Sequence, residues 1–205
     1  MDGGYNHAID WNRLRKRIVS HTCSARSISC YTEKELLCMN MKSKIYLETT
    51  IISYCVARPS RDLITAAHQQ ITQEWWEDQK QYFDLYVSEL VLQESQMGDA
   101  QAIQRRLELL ASFPLLQLTE DAARLAQALL NAKAVPMKAV GDALHVAIAT
   151  VNGMDYLLTW NMKHIANAMV RNAINVVCRT YGYEPPIICT PEELLETGEI
   201  NDVEG

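Results

Sequence analysis

Three carboxylates and one carboxamide in this 205-residue chain, Glu48, Glu94, Asp142 and Asn161, are placed to hold a hard cation together. Crowded carboxylates repel one another unless a cation offsets them, and oxygen donors select Mg²⁺ or Mn²⁺ over zinc. Such an ion lowers the pKa of a bound water and neutralises charge on a transferring phosphate. The chemistry that suits the set is phosphodiester hydrolysis, with Glu48, Glu94 and Asp142 as metal ligands and Asn161 completing the catalytic group.

Elements with the right spacing exist to position them. Glu48 ends the apolar run Ile45-Tyr46-Leu47, and Asn161 follows Asp155-Tyr156-Leu157-Leu158-Thr159. Both stand at the carboxyl ends of predicted strands, where open α/β sheets bind ligands. Strands are expected at 44–48, 82–87, 114–118, 155–159 and 186–189. Helices are expected at 50–57, 62–78, 88–97, from Gly98-Asp99 to about 111, and at 120–133, 142–151 and 163–173, with a capped helix start at Thr190-Pro191-Glu192-Glu193. Strands alternating with helices imply a parallel sheet covered on both faces. Within helix 88–97, Glu94 shares a stripe with Leu90 and Met97, opposite Glu89, Gln93 and Gln96, which places a carboxylate on the core-facing side. A buried carboxylate must be paired or bound to metal. Asp142 opens a helix, Ala143 to Val151, that is apolar nearly all round and therefore central; its simplest alternative role is an N-cap. His145, one turn on, reads as a hydrogen-bonded histidine at the helix surface.

Charge divides the chain in two. Residues 1–43 hold seven Lys or Arg against four Asp or Glu, a balance of +3, whereas residues 44–205 hold twelve against twenty-one, a balance of −9. The acidic body offers no broad platform for nucleic acid, so a polyanionic substrate needs a local basic cluster and bound metal. Six cysteines lack the spacing of a zinc site and read as unpaired thiols. No run approaches the roughly 20 apolar residues of a membrane span, and the first thirty residues lack the apolar stretch of a secretory signal. The expectation is a cytoplasmic protein with no membrane partner. No Gly-rich phosphate loop occurs, against nucleotide-dependent enzymes.

The stretches Ile45-Tyr46-Leu47-Glu48-Thr49-Thr50, Val87-Ser88-Glu89-Leu90-Val91-Leu92-Gln93-Glu94, Gly141-Asp142-Ala143-Leu144-His145-Val146-Ala147 and Leu157-Leu158-Thr159-Trp160-Asn161 together resemble the PIN-domain nucleases, in particular the VapC-like toxins of type II toxin–antitoxin modules. The resemblance runs from residue 44 to about 196. It implies an α/β fold, a PIN-like three-layer α/β/α sandwich with a central, mostly parallel sheet, that cleaves single-stranded RNA with Mg²⁺ or Mn²⁺. It also implies a cognate antitoxin protein as partner and a homodimer. The acidic positions of the family fall on Glu48, Glu94, Asp142 and Asn161, with Thr50 as the hydroxyl after the first. Two positions depart from the family pattern: Glu48 stands where Asp is usual, and Asn161 where Asp is frequent, so the alternative is a PIN-fold protein that binds RNA or a partner with weak or no cleavage. Asp99 and Asp155 read first as a helix cap and a strand-entry turn. Thr50, Lys163 and His164 are candidate RNA contacts, with Arg58 and Arg61 beside them, and Trp160 is a candidate for base stacking.

The domain expected from these signals is 44–196, followed by a tail at 197–205. Residues 1–43, with Gly3-Gly4, a basic patch at Arg13 to Arg17 and at most a short helix from Trp11 to Val19, show no sustained period. Met39 and Met41 just precede the first strong strand, so translation is expected to start there, the alternative being that the preceding residues are a flexible arm that contacts a partner. A chain beginning at Met41 is expected to melt cooperatively and to keep the activity of the full chain; loss of solubility or of the cooperative transition would show that the preceding residues pack on the domain.

Overall fold

The computed structural model describes residues 42–195, and those from Ser43 onward belong to one compact unit. The expected extension up to residue 41, its short helix and the tail at 197–205 lie outside the described residues. Five strands, β1 (Ser43–Leu47), β2 (Phe83–Ser88), β3 (Leu115–Leu116), β4 (Tyr156–Leu158) and β5 (Ile187–Cys189), form one sheet in the order β3-β2-β1-β4-β5. Every pairing is parallel. Seven helices connect them: α1 (Thr49–Val56), α2 (Leu63–Asp78), α3 (Glu89–Ser95), α4 (Ala100–Leu110), α5 (Glu120–Asn131), α6 (Val140–Val151) and α7 (Ala168–Thr180).

A central parallel strand is covered on both faces and so is apolar without alternation. In β1, Ile45, Tyr46 and Leu47 are all fully buried. Crossovers carry the chain from β1 outward through β2 to β3, then back across to β4 and β5. Helices α1, α2, α3 and α4 pack among themselves, and α5 packs on α6 and α7. These groups are the two outer layers of the α/β/α sandwich. Outward travel in opposite directions from β1 makes the β1/β4 junction the topological switch point, where the crevice at the strand carboxyl ends opens. Glu48 and Asn161 leave the sheet at that crevice. The ladder itself runs one step past the strands, since Glu48 N–H donates to the Leu158 carbonyl at 3.1 Å.

Side-chain caps start most helices: Asp62 for α2, Ser88 for α3, Asp99 for α4, Thr119 for α5 and Asn167 for α7. Asp99 is therefore a cap, and Asp155 turns the chain into β4 by accepting from Lys44 N–H at 2.7 Å. The Thr190–Glu193 pair forms a reciprocal capping box, although among the described residues it opens only a single 3₁₀ turn, Glu192–Leu194. Cys55, Cys178 and Cys189 are free thiols, and burial pushes that of Cys55 up to about 12. No described helix is long and apolar enough to cross a membrane.

Two expected helix boundaries are wrong for identifiable reasons. The last helix starts at Ala168 rather than 163, because the Asn161 carbonyl takes the N–H groups of Ile165 and Ala166 and folds 162–167 into turns. The helix carrying Glu94 stops at Ser95, ahead of Gly98 at φ 101°. Met97 thus lies past its end and is 65% exposed, so the stripe facing the interior is built by Val91 and Ser95, with Glu94 at its margin.

Candidate active site

Glu48 is a buried carboxylate, 4% exposed, and its environment explains why it is tolerated. Its Oε2 accepts from Thr50 N–H at 3.1 Å, from the Thr50 hydroxyl at 2.5 Å and from the Thr159 hydroxyl at 2.8 Å. The same residue is the N-cap of α1. Both of its hydroxyl partners accept in turn from backbone N–H groups beyond β4: Thr50 from Trp160 at 2.9 Å and Thr159 from Asn161 at 2.9 Å. Glu48 Oε1 has no hydrogen-bond partner among the described residues.

Glu94 is held by a second set. Its Oε2 accepts from the Thr49 hydroxyl and faces His145 Nε2 at 3.0 Å. His145 Nδ1 lies 2.7 Å from the Tyr46 hydroxyl, which lies 2.7 Å from Ser88 Oγ, which accepts from Val91 N–H at 3.3 Å. Tyr46, Ser88 and His145 are all buried. Burial first, partly offset by Ser88 and reinforced by the charges of Glu48 and Glu94, raises the Tyr46 phenol far above its usual value. It therefore stays a proton donor. Facing a carboxylate, Nε2 must carry a hydrogen; in a neutral ring Nδ1 is then the acceptor, so the chain of donors runs Ser88 to Tyr46 to His145 to Glu94. Burial opposes ionisation of Glu94, but the hydrogen bonds from His145 and from the Thr49 hydroxyl outweigh it, and the carboxyl titrates below its usual range.

Asp142 sits apart from this pair. It lies within the first turn of α6, whose N-cap is Ala139 without a side-chain hydrogen bond, so it is not a cap. Its Oδ1 accepts from Asn161 Nδ2 at 2.9 Å and its Oδ2 faces His164 Nδ1 at 2.7 Å. Asn161 Oδ1 accepts from His164 N–H at 3.1 Å. The two clusters meet through Thr159, between Glu48 and Asn161, and through Gly141: a Cβ there would lie 3.2 Å from Glu94 Oε1. Any larger residue at 141 presses on the Glu94 carboxylate.

One ligand atom from each of Glu48, Glu94 and His145 lies within 4.8 Å of the others. With His145 Nε2 committed to Glu94, the donors open to a cation are Glu48 Oε1 and Glu94 Oε1, each belonging to a carboxylate anchored through its other oxygen. This hard, anchored pair fits a divalent metal ion. Asp142, expected as the third carboxylate of the centre, has its two oxygens bonded to Asn161 and His164. Of the other candidates, Thr50 spends its hydroxyl on Glu48 and Trp160. Trp160 is buried; its indole N–H donates to Thr72 at 2.7 Å and its ring stacks on His68 at 3.9 Å, so it offers no free face to a base. Lys163, Arg58 and Arg61 are exposed. His145, expected at the surface, is buried and central. The signal for it is Tyr46: a tyrosine in the middle of a buried strand needs a partner for its hydroxyl.

A family profile described as PIN domain matches residues 45–166. Among solved structures, the VapBC2 complex of Rickettsia felis bound to a DNA fragment from its promoter is similar at 16% identity and a TM-score of 0.47, over 72% of this chain and 98% of that one. A toxin–antitoxin complex from Klebsiella pneumoniae is similar at 18% identity and the same TM-score, over 72% and 97%. No curated protein matches the chain.

Two variants test this geometry. Tyr46→Phe deletes the donor to His145 Nδ1 and leaves buried polar atoms unpaired, at a cost of about 1–3 kcal/mol. Melting is expected to fall by roughly 3–10 °C and Mn²⁺ affinity, measured by calorimetry, to fall with it; wild-type values for both would remove the donor chain from the site. Asn161→Asp turns a donor facing Asp142 into a second carboxylate. The metal-free melting point should drop by several degrees, on the order of 1.5–3 kcal/mol, while Mn²⁺ binds more tightly than to wild type and Asn161→Ala binds it more weakly. Equal Mn²⁺ affinities for all three proteins would place Asn161 outside the site.

Proposed function

The chain belongs to the PIN domain family, and from that membership we propose that it is a divalent-metal-dependent endoribonuclease acting on single-stranded RNA. The observation that carries the proposal is the pair of open oxygens, Glu48 Oε1 and Glu94 Oε1, anchored at the switch-point crevice by hydrogen bonds through Oε2. Glu48 and Glu94 would hold Mg²⁺ or Mn²⁺, with Asp142 as the third acidic group. Bound there, the ion supplies an activated water and charge neutralisation for the phosphate under attack.

The chain's own residues supply position. Thr50 and Thr159 fix the rotamer of Glu48, and His145 and Thr49 fix that of Glu94, so neither carboxylate must reorganise when charge develops. Asn161 and the His164 ring orient Asp142 at the amino end of α6, where the helix dipole favours an anion. Lys163, exposed in the turn after Asn161, extends toward solvent as a contact for the RNA backbone, and the His164 ring shares that turn. The resemblance to VapC-like toxins adds an antitoxin as partner protein, read as part of the same proposal.

A second reading, RNA binding with little or no cleavage, is favoured by one observation: both oxygens of Asp142 are already engaged, which leaves two open carboxylates rather than three. Incubation of the full chain with labelled single-stranded RNA, in Mn²⁺ and in chelator, separates the two. Cleavage in Mn²⁺ that chelator abolishes is expected. Asp142→Asn should lower that cleavage by roughly 10- to 100-fold in a protein that still melts cooperatively. RNA bound but uncut in Mn²⁺ supports the second reading, and wild-type cleavage by a folded Asp142→Asn removes Asp142 from the catalytic group.

A further inference from the structure

The described arginines fall into two classes. Arg124, Arg171 and Arg179 each pair with a carboxylate. Arg58, Arg61, Arg105 and Arg106 have no carboxylate partner among the described residues, and three of those four line one groove. That groove, of about 460 Å³, runs between α1 and α4 and also takes in Ser53, Tyr54 and Gln101. Its three guanidiniums are pinned by neutral acceptors. Arg58 Nη2 donates to Gln101 at 2.7 Å, Arg105 Nε to the Val56 carbonyl at 3.1 Å, and Arg106 to the carbonyls of Ser95 and Met97 at 3.0 and 2.5 Å. Asp99, a carboxylate that also lines the groove, spends Oδ1 on the cap of α4.

A guanidinium offers five N–H donors in a rigid fork, so one or two pinning bonds leave most of them for an incoming anion. Three such groups on one side of a body that carries −9 overall concentrate positive charge where the average is negative. Helix α1 links the groove to the acidic site. Thr49, which holds Glu94, lies one helical turn from Ser53 on the same face of α1, and the helix spans only about 12 Å in all. The Tyr54 ring lines the groove and stands 6.4 Å from His68, nearly parallel to it. Basic groups tracking a backbone beside an aromatic ring are the recognition pattern for single-stranded nucleic acid.

We infer that the α1/α4 groove is a phosphate-binding track, in which Arg58, Arg105 and Arg106 grip the backbone of a single-stranded RNA one or more nucleotides from the scissile bond. The inference rests on the ribonuclease reading for its substrate, and gives an acidic protein a local hold on a polyanion. The groove lies outside the metal-binding pair, so it acts on affinity and not on the charge of the reaction centre. Arg58 is the cleanest probe, being exposed and bonded only to Gln101. Arg105 also supports the end of α1, for which Arg105→Lys serves as the conservative variant.

The test measures binding of a fluorescent ten-nucleotide oligouridylate to the full chain in chelator, across a salt series, with melting curves as the check on folding. Each single-strand phosphate that the protein ceases to neutralise lowers the slope of log K against log salt by about 0.7. Arg58→Ala combined with Arg105→Gln is expected to take about 1.4 from that slope and to weaken binding roughly tenfold for each arginine. Arg105→Lys should retain the slope, and Arg124→Ala, remote and paired, should match wild type. A folded double variant with the wild-type slope overturns the inference; if wild type still cuts RNA in Mn²⁺, the nuclease reading survives that failure. Arginine-dependent binding without any cutting keeps the groove and removes the nuclease reading. Oligoglutamate that binds in an arginine-dependent way, where oligouridylate does not bind at all, assigns the groove to an acidic protein partner and overturns the RNA track.

Discussion

Burial of the Glu48 carboxylate is the constraint around which the carboxyl edge of the sheet is organised. A bare buried carboxylate is expensive, and here the cost is met by three hydrogen bonds to one oxygen. Each tie couples a different element: Thr50 starts α1, and Thr159 continues β4. Because Thr50 and Thr159 also receive the N–H groups of Trp160 and Asn161, the segment leaving β4 is registered against the one leaving β1. The side chain that serves the site is thus also the clamp that closes the switch point.

Glu94 is organised by the opposite logic, through a chain of donors rather than a ring of them. Ser88 caps α3, the helix that carries Glu94, and the same hydroxyl meets Tyr46 in the central strand. His145 passes that connection from β1 across to α3 from α6. Three elements of the core therefore converge on one carboxylate oxygen, and the other oxygen is left toward Gly141. Dyads of anchored and open oxygens recur at both glutamates, which keeps like charges apart while aiming one lone-pair-bearing atom of each into the same space.

Much of this is legible in the residues, and the gaps have physical causes. The run Ile45-Tyr46-Leu47 can only be a doubly covered strand, and the alternation of strands and helices implies a parallel sheet, so pattern alone assigns Glu48 and Asn161 to one edge. Glu94 stands out because a carboxylate near an apolar stripe demands a partner, although Met97 does not join that stripe, since the helix ends sooner than its period suggests. His145 escapes a reading of the sequence because one histidine on an apolar helix carries no periodicity of its own; its role depends on Tyr46, ninety-nine residues away. The start of α7 is hidden for a related reason: the Asn161 carbonyl, not a sequence of helix formers, decides where 162–167 turn. The arginine groove is invisible to sequence because Arg58 and Arg105 approach only after α1 and α4 pack.

The glutamate at position 48, where the resemblance to the family implies an aspartate, is accounted for by its two tasks. To cap α1 and to reach Thr159 across the gap to β4, the carboxylate must extend beyond the backbone it caps, and the added methylene supplies that reach. A shorter aspartate at the same backbone position would be closer to the cap and farther from the β4 hydroxyl, trading inter-strand registration for a tighter helix start. The longer side chain also has one more rotatable bond to immobilise, and the three hydrogen bonds on Oε2 provide that immobilisation. In this chain the departure at 48 and the hydroxyls at 50 and 159 therefore form one unit: the glutamate needs both threonines to be fixed, and the threonines need the glutamate's reach to be joined.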